Sequence, residues 1–432
     1  MHAGVRSAPR WIAALAPCVA LSAFSGTARA EDRVDLLMER IEKQDREIQE
    51  LRQEVNELRG RPVVTQPPPP SSDAPQEYKR EEGDDPLADH GNPGIQLQIS
   101  GQVNQAINFA GDGHDAKAYF VDNDTSNTRL RFAGVAKLKE HLEIGPLLEV
   151  AFSPNPSSDV SQDREIAGDF FQVRRAELYA LDERYGRMTL GRGSSASDDT
   201  AEYDLSLVSG PIMYSGISDI VGGLQFTHDG HLTGTHVNQA FFNFDGNRQN
   251  RIRYDTPMWG PAQVSVSYGA DQQWAAALTF GGDYGRWSAM EVGPFTMLGA
   301  VSIFEPNQHG VNFQTAGSWS VLHNATGLNL TFSGGAQEGV QGGTPYNLYG
   351  KLGWNAKLLD IGPTGFGVDY TWTENVSGSG DKGQGVGIAA VQVLQRYGLE
   401  MYTQFRWYSV DRAERPKFDD IFVGTVGTRV RF

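Results

Sequence analysis

The last eleven residues set the tightest limit on what this chain can fold into. Phe422, Gly424, Val426, Thr428, Val430 and Phe432 fall on one side of an extended chain; Val423, Thr425, Gly427, Arg429 and Arg431 fall on the other. Side chains alternate across a strand with a period of two. One row is largely apolar and the other carries two arginines, so the strand separates an apolar medium from a wet one. Upstream segments repeat the pattern. Ile95, Leu97, Ile99, Val103, Ile107 and Phe109 oppose Gln96, Gln98, Ser100, Gln102, Asn104 and Asn108. Val264, Val266 and Tyr268 oppose Gln263, Ser265 and Ser267; Leu399, Met401, Phe405 and Trp407 oppose Glu400, Gln404 and Arg406.

No stretch of 18 apolar residues occurs, so no helix in the sequence is suited to crossing a bilayer. Strands can cross one only in a closed cylinder, because hydrocarbon satisfies no backbone hydrogen bond. Aromatic residues crowd the strand ends (Tyr254, Trp259, Tyr268, Trp354, Tyr370, Trp372, Trp407, Tyr408), as an interfacial girdle requires. At ~20 residues per strand and loop, residues 95–432 hold about 16 antiparallel strands. The competing readings are a secreted β-sandwich or a solenoid, and no 20–50-residue repeat supports the latter. The expected fold class is thus an all-β transmembrane β-barrel, preceded by a short N-terminal α-helical coiled coil.

The segment before the barrel divides in three. Residues 1–30 read as a signal peptide: Arg6 and Arg10, an apolar stretch from Trp11 to Phe24, and an Ala28-Arg29-Ala30 cleavage site. Its removal takes the one cysteine, Cys18, so Cys-ligated metals and thiol nucleophiles are excluded from the mature chain. It also takes three arginines and no acid, moving the net charge from −16 to −19 and arguing against nucleic acid as a partner. Residues 31–59 carry heptads. Val34, Leu37, Ile41, Gln44, Ile48, Leu51, Val55 and Leu58 form the seam, with Arg40–Asp45, Glu47–Arg52 and Glu54–Arg59 as opposite-sign flanking pairs. The pattern predicts self-association but not the number of chains. Residues 60–94, rich in Pro and acids, form an extended linker.

Three stretches resemble Gram-negative porins. Phe171 to Tyr179 followed by Gly186 to Arg192 is similar to the porin hairpin that leads into the constriction loop. Asn250 to Pro257 is similar to a porin strand written N-S-I-x-Y-x-S-P. The third is the terminal strand, in which Val430 and Phe432 resemble the barrel-closing signal. With its leading coiled coil the chain resembles the DcaP-like and phosphate-selective porins. The resemblance implies an outer-membrane homotrimer surrounded by lipid, with the coiled coil in the periplasm and each barrel passing small hydrophilic solutes. It also implies a loop after Arg192 that narrows the lumen, to which Asp198, Asp199, Glu202 and Asp204 supply acids. The P-E-F-G-G-type motif of general porins is absent.

Alternation places Arg129, Arg131, Arg175, Arg192, Arg251, Arg253 and Arg406 on lumen rows, since lipid-facing arginine costs ~2–4 kcal/mol at the midplane. Such a set attracts anions; alternatively the arginines pair with Glu149, Glu177, Asp255 or Glu400 and brace the wall. No cofactor or metal site is expected. His228, His231 and His236 fit no ligand spacing, Asp122-Asn123-Asp124 lacks an EF-hand's Gly and Glu, and Gly383, Gly385 and Gly387 precede no helix. No G-x-S-x-G elbow appears, so a channel is expected rather than an enzyme. The runner-up reading is a structural tether, the coiled coil holding the outer membrane to the cell wall.

Overall fold

The computed structural model describes residues 94–432, apart from 284–285, 288, 308–309, 340–342 and 414–415. The signal segment and the coiled-coil seam lie outside the described residues, as does all but the last residue of the linker.

β1 (Gln96–Gly111), β2 (Ala116–Asp122), β3 (Arg129–Lys139), β4 (Leu142–Pro154), β5 (Asp169–Asp182) and β6 (Gly186–Ser194) run up and down in sequence. A hairpin of β7 (Gln225–His228) and β8 (His231–His236) precedes β9 (Arg248–Asp255), β10 (Ala262–Gly269) and β11 (Trp274–Phe280). Short pieces β12 (Gly282–Asp283), β13 (Arg286–Trp287) and β14 (Met290–Val292) lead to β15 (Phe295–Glu305), β16 (Phe313–His323), β17 (Leu328–Glu338) and β18 (Tyr346–Leu359). β19 (Gly362–Glu374), β20 (Lys382–Leu394), β21 (Leu399–Asp411) and β22 (Ile421–Arg431) complete the wall.

Eighteen of these strands form one sheet. β2 and β3 lie end to end against the two halves of β1, and β11 and β14 share β15 in the same way. The wall therefore has 16 antiparallel staves. β22 closes it on β1, with Val430 opposite Val103. Phe432 finishes the seam: Gly101 N donates to Phe432 O at 2.8 Å and Phe432 N to Gly101 O at 3.0 Å. A Cβ on Gly101 would sit 2.7 Å from the Phe432 ring, so the last aromatic needs glycine beneath it.

Burial runs opposite to that of a soluble sheet. Asn104 and Asn108 are buried at 0% and 1% exposure, while their neighbours Val103 and Phe109 are 45% and 54% exposed. Apolar side chains face out and polar ones face in, as a lipid-bathed wall around a polar interior demands. Trp259, Tyr268, Trp354 and Tyr370 are exposed on the outside. Tyr408 departs from the expected girdle. It faces inward, fully buried, and its hydroxyl donates to Ile217 O at 2.6 Å.

Candidate pore constriction

Residues 195–247, between β6 and β9, fold into the lumen and run around its inner surface. The hydrogen bonds progress around the wall from β10 to β1. Ala196 N donates to Ser267 Oγ on β10, and Tyr203 N to Ser318 Oγ on β16. Leu207 N donates to Asn355 Oδ1 on β18; Gln404 Nε2 on β21 donates to Ile212 O, and Arg429 Nη1 on β22 to Gly210 O. Asn108 Nδ2 on β1 donates to Ile220 O. The chain then turns back through the β7–β8 hairpin, and Gln314 Nε2 on β16 donates to Phe244 O and Asp245 O on the return leg.

Glycines make room for this belt. A Cβ on Gly335 would meet Phe244 Cβ at 2.5 Å, one on Gly365 would meet Leu207 Cβ at 2.7 Å, and one on Gly385 would meet Ile217 Cδ1 at 2.7 Å. The run Gly383, Gly385, Gly387 is part of this floor. A Cβ on Gly383 would lie 3.1 Å from the Phe241 ring, and one on Gly387 would lie 2.5 Å from Arg406 Nη2. Ile212, Met213, Ile217, Leu224, Phe226 and Phe241 are thereby almost wholly buried in one cluster with wall residues Tyr349, Val391, Val410 and Val423. Burying a side chain of this size contributes about 1.5–3 kcal/mol. That is the drive that holds a loop with little regular structure against a wall.

The hydrogen bonds to the loop named above lie on β10, β16, β18, β21, β22 and β1, and the glycines beneath it on β17, β19 and β20. The lumen side of β3, β4 and β5 carries charges instead. Arg131, Glu149 and Arg175 stand opposite one another across these strands. A register shift between Glu149 and Val150 leaves Arg174 as an extra residue. Bulges re-aim side chains, and this one brings Arg174 to the same side as Arg175. Arg174 Nε meets Glu149 Oε1 at 2.7 Å, and Arg175 Nη1 meets Glu177 Oε1 at 3.7 Å. Arg129 Nη2 and Arg429 Nη1 both donate to Ser126 Oγ, at 3.2 and 2.9 Å, so two guanidiniums share one acceptor. Arg251 pairs with Glu177 at 2.6 Å and Arg253 with Asp255 at 2.8 Å.

The seven expected arginines thus part ways. Arg129, Arg131, Arg175, Arg251 and Arg253 occupy lumen rows. Arg406 points inward but is fully buried against Asp369 at 2.5 Å, beneath the belt, so it braces the wall rather than facing solute. Arg192 is a second correction. It stands in register with Ala176 and Asn250, in the outward row of Leu190 and Ile252, with Nε donating to Val173 O at 2.7 Å. The left-handed Gly191, φ 124°, sits just before it. The loop acids divide as well. Asp204 is buried and paired with Lys351, whose Nζ also donates to Met213 O at 2.8 Å. Asp198, Asp199 and Glu202 lie at the neck of the loop with Asp245 and Arg248.

Alternation alone misses Arg174, since a bulge breaks the period; two consecutive arginines inside a strand are its only local sign. Arg248, Asp219 and Asp245 carry no periodic signal. Among these loop carboxyls, burial and then the neighbouring Asp245 hold Glu202 well above the usual range. Burial and then Asp198 do the same to Asp245. Burial pushes Asp219 up to about 6, against a Tyr214 hydrogen bond and the charges of Arg174 and Arg248.

A closed barrel with an apolar outside, a polar inside and an inward-folded loop is a transmembrane channel. The chain belongs to the Gram-negative porin family, which it matches over residues 14–413. Solved porins share the fold. The anion-selective porin from Comamonas acidovorans aligns with a TM-score of 0.54 at 15% identity, over 78% of this chain and 100% of that one. A loop L8 deletion mutant of OmpT, an outer membrane protein of Vibrio cholerae, aligns at 0.51 and 14%, over 78% and 100%. Salmonella typhi OmpF, in complex with daunomycin, aligns at 0.50 and 11%, over 78% and 98%. A search of curated proteins finds no match.

Proposed function

We propose that this outer-membrane porin is a passive diffusion channel for small hydrophilic solutes that favours anions at its constriction. One observation carries the reading. On the side of the lumen formed by β3–β6 and β9, six arginines (129, 131, 174, 175, 251, 253) stand with three carboxylates, Glu149, Glu177 and Asp255; Arg251 is buried against Glu177 and braces the wall, and the other five carry the excess. The pairs anchor the guanidiniums, and the excess sets the sign of the field. The Comamonas relative is anion-selective by name; at 15% identity it supports the fold, and the arginine excess supports the selectivity. Replacing Arg174 and Arg175 together by Ala should move the zero-current potential in a planar bilayer, under a KCl gradient, toward the K⁺ equilibrium value. An unchanged potential, or cation preference in the wild type, refutes the reading.

We further propose that the porin self-associates as a homotrimer and that the heptads of residues 31–59, which lie outside the described residues, serve that association rather than a tether. Deleting residues 31–90 separates this reading from the tether. Loss of the trimer on cross-linking favours oligomerisation; intact solute flux with lost envelope attachment favours the tether.

A further inference from the structure

The constriction loop leaves β6 and returns to β9 through a narrow neck. Ser195 N donates to Asn247 O at 3.1 Å and Gly246 N to Ser197 O at 3.2 Å, so the outgoing and returning legs run side by side. A Cβ on Gly246 would lie 2.3 Å from Ser197 Oγ and 2.5 Å from Asp198 N, so only glycine allows the legs this close. Three carboxylates converge here: Asp198 and Asp199 from one leg, Asp245 from the other. One oxygen of each lies within 4.8 Å of the other two. The backbone holds the third in place. Asp245 Oδ2 accepts from Asp199 N at 2.6 Å, and Oδ1 from Ala201 N at 2.8 Å.

A separate observation concerns Asp198. The residue is 9% exposed and its Oδ2 accepts no hydrogen bond. The nearest cation is Arg248, whose Nε stands 3.6 Å away, beyond hydrogen-bond reach, and itself finds no acceptor. Arg248 Nη2 stands 3.8 Å from Asp199 Oδ1. Arg248 is the guanidinium at the neck itself, with Arg175 and Arg253 acting on Asp198 and Asp199 from the wall. Against them stand three carboxylates, with Glu202 near enough to interact with Asp245 as a fourth. A buried carboxylate oxygen with no donor is costly. A hard divalent cation removes that cost. Ca²⁺ takes oxygen ligands at ~2.3–2.6 Å, so oxygens in its shell stand about 3.3–5 Å apart. The neck oxygens, all within 4.8 Å of one another, are close enough to share one such ion.

We propose that Asp198, Asp199 and Asp245 hold a divalent cation of the Ca²⁺ class that staples the two legs of the constriction loop. Glu202 closes the site from the next turn, and Arg248 competes with the ion. The site adjoins the arginine rows of β3–β6 and β9, since Arg253 Nη1 donates to Ser195 O at 2.6 Å at the base of the neck, so a bound cation adds to the positive field there.

Calorimetric titration of CaCl₂ into the EDTA-stripped, full-length protein in detergent tests this. One saturable site per chain is expected. Asp245→Asn should weaken it more than tenfold, and Arg248→Ala, by removing the competing charge, should tighten it at least threefold. If Asp245→Asn does not fold, Arg248→Ala still decides. The acidic linker is the control: Asp84→Asn/Asp85→Asn should leave the affinity unchanged. Absence of saturable binding, loss of it in the linker variant, or affinity that Arg248→Ala leaves unchanged overturns the proposal. Zero-current potentials in EDTA read the anion preference separately.

Discussion

At the scale of single residues, the charges inside this barrel do two jobs. Lys351 with Asp204, and Arg406 with Asp369, are buried pairs that fasten wall to loop or wall to wall. Arg129, Arg174 and Arg175 are less buried and border the side of the lumen away from the belt. The acids of the loop titrate differently from ordinary carboxyls. The folded-state values of Glu202 and Asp245 are raised, and that of Asp219 is about 6, against about 4 for an unfolded carboxyl. A raised acid favours the protonated form in the folded loop. Its stabilising contribution is complete below the unfolded value and is lost as pH rises through the folded one. The functional consequence has a definite sign. Between pH 7 and 5 Asp219 loses its charge while the arginines keep theirs, so the zero-current potential in EDTA should move further toward the anion value. Movement toward the cation value contradicts this assignment of charge.

At the scale of elements, the inward loop and the strands beneath it are matched surfaces. A strand residue with a side chain on the lumen row would fill the groove that Leu207, Ile217 and Phe244 occupy. Gly365→Val and Gly335→Val should each dislodge the belt at one contact, costing about 1–3 kcal/mol as an overpacked core does. Their measurable signs are a lower midpoint of thermal unfolding and larger open-channel current fluctuations. Wild-type noise and midpoint in both variants would show that the belt does not rest on these glycines. The bulge in β5 is the second element-scale device. It spends one residue of pairing to put Arg174 beside Arg175. Strand periodicity announces Arg175 and hides Arg174, because the residue that breaks a pattern cannot be found from the pattern.

At the scale of the whole molecule, closure decides everything else. Sixteen staves leave no open edge only if β22 meets β1, and the seam ends on the paired hydrogen bonds between Gly101 and Phe432. Deleting Phe432 removes both of these hydrogen bonds and the ring that covers Gly101. Gel mobility with and without heating should show less folded barrel and more unfolded chain; undiminished folding would make the terminal ring dispensable.

Sequence alone determined the wall. Val103 and Asn104, Val266 and Ser267, Phe405 and Arg406 sit on the faces their alternation predicts, because a strand's two faces are fixed by covalent geometry and each meets one solvent. The terminal Phe432 and the existence of an inward loop after β6 were legible too, the latter through likeness to a family. Tertiary structure decided what the lumen does. The path of residues 195–247, the burial of Arg406 and the meeting of Asp198 with Asp245 depend on groups far apart in the chain. No local period records such meetings, because they arise from packing a nonrepetitive loop against the inside of an already closed wall.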